Sequence, residues 1–371
     1  MSENMKIKYT NFHRQFEPLR EEIMTRISEI FERGDFVLGE TLKEFEKNFA
    51  SYCQTDYAIG VANGTDAIIL ALKSLDIGLG DEVITAPNSF LATAGAIVAV
   101  GATPVFVDVK EDFNIDPDLI DAAITSKTKA IIPIHLTGRP AEMNKIMEIA
   151  FNRKLHVIED AAQAVGARYH GKRVGSFGIM GCFSLHPLKN LNAAGDAGVI
   201  TTSNKGVYEK IIKLRNHGLR NRNECEQWGY NSRLDCIQAA VVNTKLRYLE
   251  GWNEKIRKIA ATYAQNLAGV VKVPQEREHE HSVYHTFIIL HEQRDSLQRY
   301  LLEQGIETKI HYPIPLHLQP AAQGLGYKEG DFPCCERQAK RILSIPIYPE
   351  LTDEEVKHVI DAVKAFVKNN G

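Results

Sequence analysis

The sequence predicts an α/β fold: a mostly parallel seven-stranded sheet flanked by helices, followed by a smaller α+β domain. Three observations predict it. Seven short runs of β-branched and apolar residues lie in the first two thirds of the 371-residue chain. They are nearly continuous in apolar residues, as strands covered on both faces are. Helical patterns fall between most of them, and this alternation ends near residue 250.

The strands are "YAIGVA" from Tyr57, "EVITA" from Glu82, "PVFVDV" from Pro104, "AIIPIH" from Ala130, "HVIED" from His156, "GCFSL" from Gly181 and "GVITT" from Gly198. Among the helices, Thr41 and Glu44 read as a capping box, with Leu42, Phe45, Phe49 and Tyr52 on one face. Asp116 followed by Pro117 reads as an N-cap and first helical position. "NKGVYEKIIKLRNHG" reads as a helix ending at Gly218. A long helical stretch runs from Leu234 past Arg247 and is interrupted at Gly251. The domain boundary is placed there: residues 1–250 form a large domain with an N-terminal arm, and 251–371 a small one. The small domain is expected to hold strands "VYHTFIIL" from Val283 and "TKIHY" from Thr308, a helix near Asp295–Gln304, and a last helix behind Thr352 and Glu355.

Composition narrows the function. Hydrophobic residues make up 44% and charged residues 25%, with a net charge of −3. That balance suits a globular protein and argues against nucleic acid as the main partner, since phosphate binding wants a basic face. The start, "MSENMKIKYTNF", has no apolar core of signal-peptide length, and no apolar run approaches the roughly 20 residues of a spanning helix. A cytoplasmic protein is expected. The six cysteines show no C-x-x-C spacing and are read as free thiols, not metal ligands.

In open α/β sheets ligands bind beyond the carboxyl ends of strands. The polar residues at those ends form a coherent set. Gly64, Thr65 and Asp66 follow the Tyr57 strand where a helix begins, and a helix N-terminus is an anion site. Phe90 follows the Glu82 strand, Asp160 ends "HVIED" with Gln163 one turn on, and Ser184 and Lys189 follow "GCFSL". Each alone has an ordinary explanation: a cap, a core aromatic, a surface lysine. Together they suit pyridoxal phosphate. That cofactor needs a lysine amine for a Schiff base, an acid against the pyridine nitrogen, a phosphate cradle and a flat ring for stacking. Lys189, Asp160, the Thr65–Asp66–Ser184 group and Phe90 supply them.

These motifs resemble the DegT/StrS family of pyridoxal phosphate-dependent sugar aminotransferases, with fold-type I, aspartate aminotransferase-like architecture. The resemblance covers nearly the whole chain: "FVLGETLKEFEKNFASYC", "VANGTDAIILAL", "EDAAQAVGA", "FSLHPLKNLNAAGDAGVITT", "GYNSRLDCIQAA" and "IHYPIPLHLQP" match family blocks in family order. It implies that Lys189 carries the Schiff base and shuttles the proton. Asp160 would pair with the pyridinium, Gln163 touch the ring hydroxyl and Phe90 stack. Gly64, Thr65, Asp66 and Ser184 would hold phosphate, and Asn231 would reach the phosphate of a partner subunit in a homodimer with shared sites. His186, Tyr312 and His317 would lie near substrate, whereas His135 and Arg139 could serve either the site or the scaffold. Val165 stands where many relatives carry His, which weakens transfer of their substrates to this chain.

The resemblance therefore implies amino transfer from L-glutamate to a keto-sugar, expected to be nucleotide-linked and used in amino-sugar biosynthesis. "GDAG" at Gly195–Gly198 looks like relatives that act at the third ring carbon. The alternatives are a sugar dehydratase, action at the fourth carbon, an acidic keto-sugar or a cyclitol. A related dehydratase branch replaces the lysine by His, and Lys189 speaks against it.

Overall fold

A computed structural model describes residues 6–370 of the chain. All seven expected strands form one sheet: β1 (Tyr57–Val61), β2 (Glu82–Thr85), β3 (Thr103–Phe106), β4 (Thr128–Ile131), β5 (His156–Asp160), β6 (Met180–Ser184) and β7 (Gly198–Thr202). Their order is β1-β7-β6-β5-β4-β2-β3. Six strands run the same way, and β7 is antiparallel to both its neighbours, β1 and β6. Residues such as Ile59, Ile84, Ile131, Ile158 and Ile200 have no more than 0% exposure, which explains why the strands read as continuous apolar runs and not as alternating ones. The carboxyl ends of β1, β2, β5 and β6 therefore share one edge of the sheet.

A glutamate inside the sheet is part of the scaffold. Glu159, fully buried on β5, accepts hydrogen bonds from the backbone N–H groups of Gly175, Phe177 and Gly178 at 2.7–2.8 Å. His135 Nε2 lies 3.0 Å from the same carboxylate, and His135 Nδ1 accepts from Ala141 N–H. The ring proton is therefore on Nε2 and points at Glu159. Arg139 pairs with buried Glu280 at 2.7 Å. His135 and Arg139 are thus spent on structure.

Several helix ends differ from expectation. The Glu40–Cys53 helix starts before Thr41: Gly39 is its N-cap, and Asp35 accepts from Glu40 N–H at 2.9 Å. Thr41 instead accepts from Arg33. Asp116 caps the helix Pro117–Ala123, as expected. The helix after Asn204 ends at Leu214; Gly218, with φ +74°, closes a turn beyond it. The long helical stretch breaks at Arg247–Tyr248, between helices Cys236–Leu246 and Leu249–Leu267, and Gly251 is helical.

Beyond the sheet, β8 (Phe287–Leu290) pairs antiparallel with β9 (Ile342–Ile345). The strand expected from Val283 begins only at Phe287. "TKIHY" is not a strand; Lys309 makes a single antiparallel bridge with Ser344. Thr352 and Glu355 do form a capping box, each side chain bonded to the other's backbone N–H, ahead of helix Asp353–Asn370. The core here joins Tyr263, Phe287, Leu343 and Phe366 to Ile7 from the N-terminal segment. Ile7 bonds to Gly305 and Glu307, which ties the N-terminal segment to this core. No helix among the described residues is long and apolar enough to cross a membrane.

Candidate active site

A cavity of about 370 Å³ opens at the shared carboxyl edge. Gly64, Thr65, Phe90, Asp160, Gln163, Ser184, His186, Lys189 and Tyr312 all line it. Three of the expected residues do not. Asp66 sits on the first turn of helix Gly64–Ser74, its N–H bonded to Asn63 Oδ1 at 2.8 Å. Asn231 is exposed and bridges to Asn216, away from the cavity. His317 corrects the expectation of a substrate neighbour. It is buried, its Nε2 is 2.9 Å from Glu336, and its ring packs against Phe332. Pairing with a buried acid holds it in the scaffold.

One wall is the start of helix Gly64–Ser74. Asn63 caps the helix, so its first N–H groups face the cavity with Thr65. The helix end comes very close to β6. A Cβ on Gly64 would fall 2.7 Å from Ser184 Cβ, and one on Gly198 would fall 2.3 Å from Asn63 O. Glycine at both positions lets the helix end, Ser184 and the start of β7 meet in a cradle of anion-binding groups.

Asp160 ends β5 and is 5% exposed. Its Oδ2 accepts from Thr93 Oγ1 at 2.7 Å and its Oδ1 from Ala162 N–H at 3.2 Å. Thr93 also lies 2.8 Å from Ser89 Oγ. Thr93 sits on helix Leu91–Ala99, whose N-cap is Phe90. The ring of Phe90 is 55% exposed on the cavity rim, with its centroid 5.7 Å from that of Tyr312. A large ring left open there is available for stacking. Gln163 Oε1 accepts from Thr137 N–H at 2.7 Å, and its amide nitrogen donates to Tyr312 Oη at 3.3 Å.

Lys189 lies on a tight turn after β6. Its N–H bonds to His186 O at 2.8 Å, and Asn192 Nδ2 holds its carbonyl at 3.0 Å. Desolvation pushes its pKa down from 10.5 to about 8, although the Asp160 carboxylate pulls the other way. Near pH 8 about half of the amine is therefore in its neutral form. His311 also faces the cavity, with Nδ1 2.9 Å from Ser344 Oγ. Burial, then the Lys189 charge, push it down to about 4.

These residues fit pyridoxal phosphate. A cradle of helix N-terminal N–H groups with Thr65 and Ser184 suits a phosphate, a hydrogen-bonded buried carboxylate suits a protonated ring nitrogen, and a desolvated lysine suits an aldehyde.

Sequence reasoning missed Thr93, His285 and the arm residues Tyr9, Thr10, Asn11, Phe12 and Gln15, which line the same cavity. Thr93 was within reach: it lies three residues after Phe90 and so one helical turn on, facing the same way. His285 was hidden by its placement within an expected strand. The arm residues carry no motif.

Comparisons with known proteins place the whole chain. The model of the DegT/DnrJ/EryC1/StrS aminotransferase family matches residues 17–364. The chain is 44% identical over 370 residues to the "pleiotropic regulatory protein" of Geobacillus stearothermophilus, covering 98% of this chain and 100% of that protein. It is 41% identical over 370 residues to the dTDP-3-amino-3,4,6-trideoxy-alpha-D-glucose transaminase of Streptomyces venezuelae, covering 99% and 98%. The crystal structure of S. venezuelae DesV in complex with a ketimine intermediate superposes with a TM-score of 0.96 at 41% identity, over 98% of this chain and 99% of that one. Matched from end to end in sequence and in fold, the chain belongs to the DegT/DnrJ/EryC1/StrS aminotransferase family.

Proposed function

We propose that this protein moves the amino group of L-glutamate to the third ring carbon of a nucleotide-linked keto-sugar. The coarser statement follows from the family: it is a pyridoxal phosphate-dependent sugar aminotransferase of amino-sugar biosynthesis. One observation carries the reading. A lysine with a lowered pKa and a buried, hydrogen-bonded aspartate open on one cavity whose wall is a helix N-terminus.

When bound, the cofactor supplies an aldehyde for amine exchange and a ring that withdraws electrons from the reacting carbon. The chain's residues do the rest. Gly64, Thr65 and Ser184 would bind the phosphate with the helix N–H groups. Asp160, aimed by Thr93, would hold the proton on the ring nitrogen. Phe90 would cover the ring, and Gln163, fixed by Thr137 and Tyr312, would meet its hydroxyl. Lys189 would take the proton from the donor's α-carbon and deliver it to the cofactor's former aldehyde carbon, acting as base and then acid with a pKa near the working pH. The positions of His186 and Tyr312 on the same cavity suit contacts to substrate.

The third-carbon assignment is supported by the 3-amino product in the name of the Streptomyces relative. It is supported also by the "GDAG" segment, whose Asp196 lines the cavity. Each site is proposed to draw on two chains of a homodimer, with Asn231 lending its amide to the partner's phosphate site. Its exposure leaves it free for that task. The division into a large domain to residue 250 and a small one beyond is likewise proposed.

The name of the Geobacillus relative raises a second reading, a regulatory protein without turnover. The complete Lys189–Asp160–Gln163 set favours catalysis. The test is to add L-glutamate to the yellow holoenzyme, follow the visible band and 2-oxoglutarate release, and then offer a panel of nucleotide keto-sugars. The aminotransferase reading requires loss of the band, stoichiometric 2-oxoglutarate and a 3-amino sugar by NMR. An unchanged band contradicts it.

A further inference from the structure

His285 lines the cavity and has no part in the reading above. Asn190, the residue after Lys189, fixes its ring. The Asn190 amide nitrogen donates to Asn253 Oδ1 and to Val283 O, both at 3.0 Å, so its two hydrogens are spent. Its oxygen lies 3.2 Å from His285 Nδ1 and can only accept, which places the imidazole proton on Nδ1. Burial, and then the nearby Lys189 charge, hold the His285 pKa well below 6.5, so the ring is neutral. Nε2 is left as a bare acceptor with no hydrogen-bond partner among the described residues. The lysine turn thus carries, through its own next residue, a neutral acceptor of fixed tautomer on the cavity that the lysine amine enters.

We propose that His285 is a positioning residue for proton transfer: its Nε2 accepts a hydrogen bond from the Lys189 amine once the amino donor has displaced that amine from the cofactor, and so aims it at the reacting carbon. This rests on the role of Lys189 as the proton carrier in the aminotransferase reading.

The two ring nitrogens can be separated by substitution. The amide of asparagine falls near Nδ1, and the side-chain oxygen of glutamine reaches the place of Nε2. Three holoenzymes, His285→Gln, His285→Asn and His285→Leu, are compared with wild type in the glutamate half-reaction, using glutamate and its α-deuterated form. Cofactor affinity and melting temperature are measured alongside. The expected result is that Asn and Leu lower kcat about 10- to 100-fold, as misplacement of a reacting group does. KM should stay within about threefold, and the deuterium isotope effect should rise because proton transfer has become slower. Gln should recover wild-type behaviour to within about fivefold, with all variants melting and binding cofactor like wild type. Recovery by Asn and not Gln would show that only the Nδ1 contact matters and would overturn the proposal, as would three equal variants or an unchanged isotope effect. A wild-type enzyme that leaves glutamate untouched overturns the underlying reading instead, and this proposal with it.

Discussion

The hydroxyl of Thr93 donates a 2.7 Å hydrogen bond to Oδ2 of Asp160, and both residues are buried. A carboxylate at a strand end can rotate about two bonds; this contact, with Ala162 N–H on the other oxygen, fixes its plane. The acid is therefore aimed before any cofactor arrives.

Removing that hydroxyl tests the aim. Thr93→Val keeps the shape of the side chain and deletes a hydrogen bond to a charged group worth roughly 1.5 kcal/mol. Cofactor affinity, read by absorbance titration of the apoprotein, should fall about tenfold while the fold persists. An unchanged dissociation constant would show that Asp160 needs no such partner.

Gly64 tests the cradle. The added carbon of Gly64→Ala would meet Ser184 Cβ at 2.7 Å, far inside ordinary contact. Either the helix end or β6 must move, at a cost of about 1–3 kcal/mol. The variant should unfold at lower urea and lose cofactor more readily. Ser184→Gly in the same chain should recover part of the stability, because the two atoms in conflict are then no longer both present. Equal unfolding of wild type and Gly64→Ala would contradict this contact.

Lys245 gives a pH prediction. It is 7% exposed, and its ammonium is bonded to the amide oxygens of Asn192 and, at 3.4 Å, Gln15. Desolvation lowers its pKa from 10.5 to about 8. A lysine with a depressed folded pKa carries a penalty that is fully present below pH 8. The penalty is relieved as pH rises toward 10.5, where the unfolded chain also loses the proton. The shift corresponds to about 3 kcal/mol. Lys245→Met removes the penalty, so its stability relative to wild type should be greater at pH 7.5 than at pH 10. Urea unfolding of both proteins at the two pH values checks this, and a difference that does not change with pH would contradict it.

Much of this was legible in the sequence because the sheet is buried on both faces. Strands such as His156–Asp160 advertise themselves as apolar runs, and the residue at the end of each run is where ligand groups must sit. That rule put Lys189, Asp160 and Gly64 among the candidates, and their roles came from the set as a whole and from the family resemblance. The rule fails where a residue's place is set by distant chain. His317 stands beside prolines in a motif that suggests a site, yet Glu336, 19 residues on, draws it into the scaffold. Thr41 looks like a cap, but Asp35 reaches the helix start first. His285 lies in a β-rich run whose first residues stay outside the strand, since Val283 N–H bonds to Gly138 and Asn190 claims Val283 O. Thr137, at φ +63° ahead of Gly138, is likewise a turn that no local pattern announces.

The central claim is that the amine of Lys189 holds the cofactor at the mouth of this sheet. Borohydride reduction of the native holoenzyme, followed by peptide mass mapping, tests it most directly. A phosphopyridoxyl adduct is expected on the peptide containing Lys189 and nowhere else. Reduction that leaves this peptide unmodified, or that labels a different lysine such as Lys245, would contradict it.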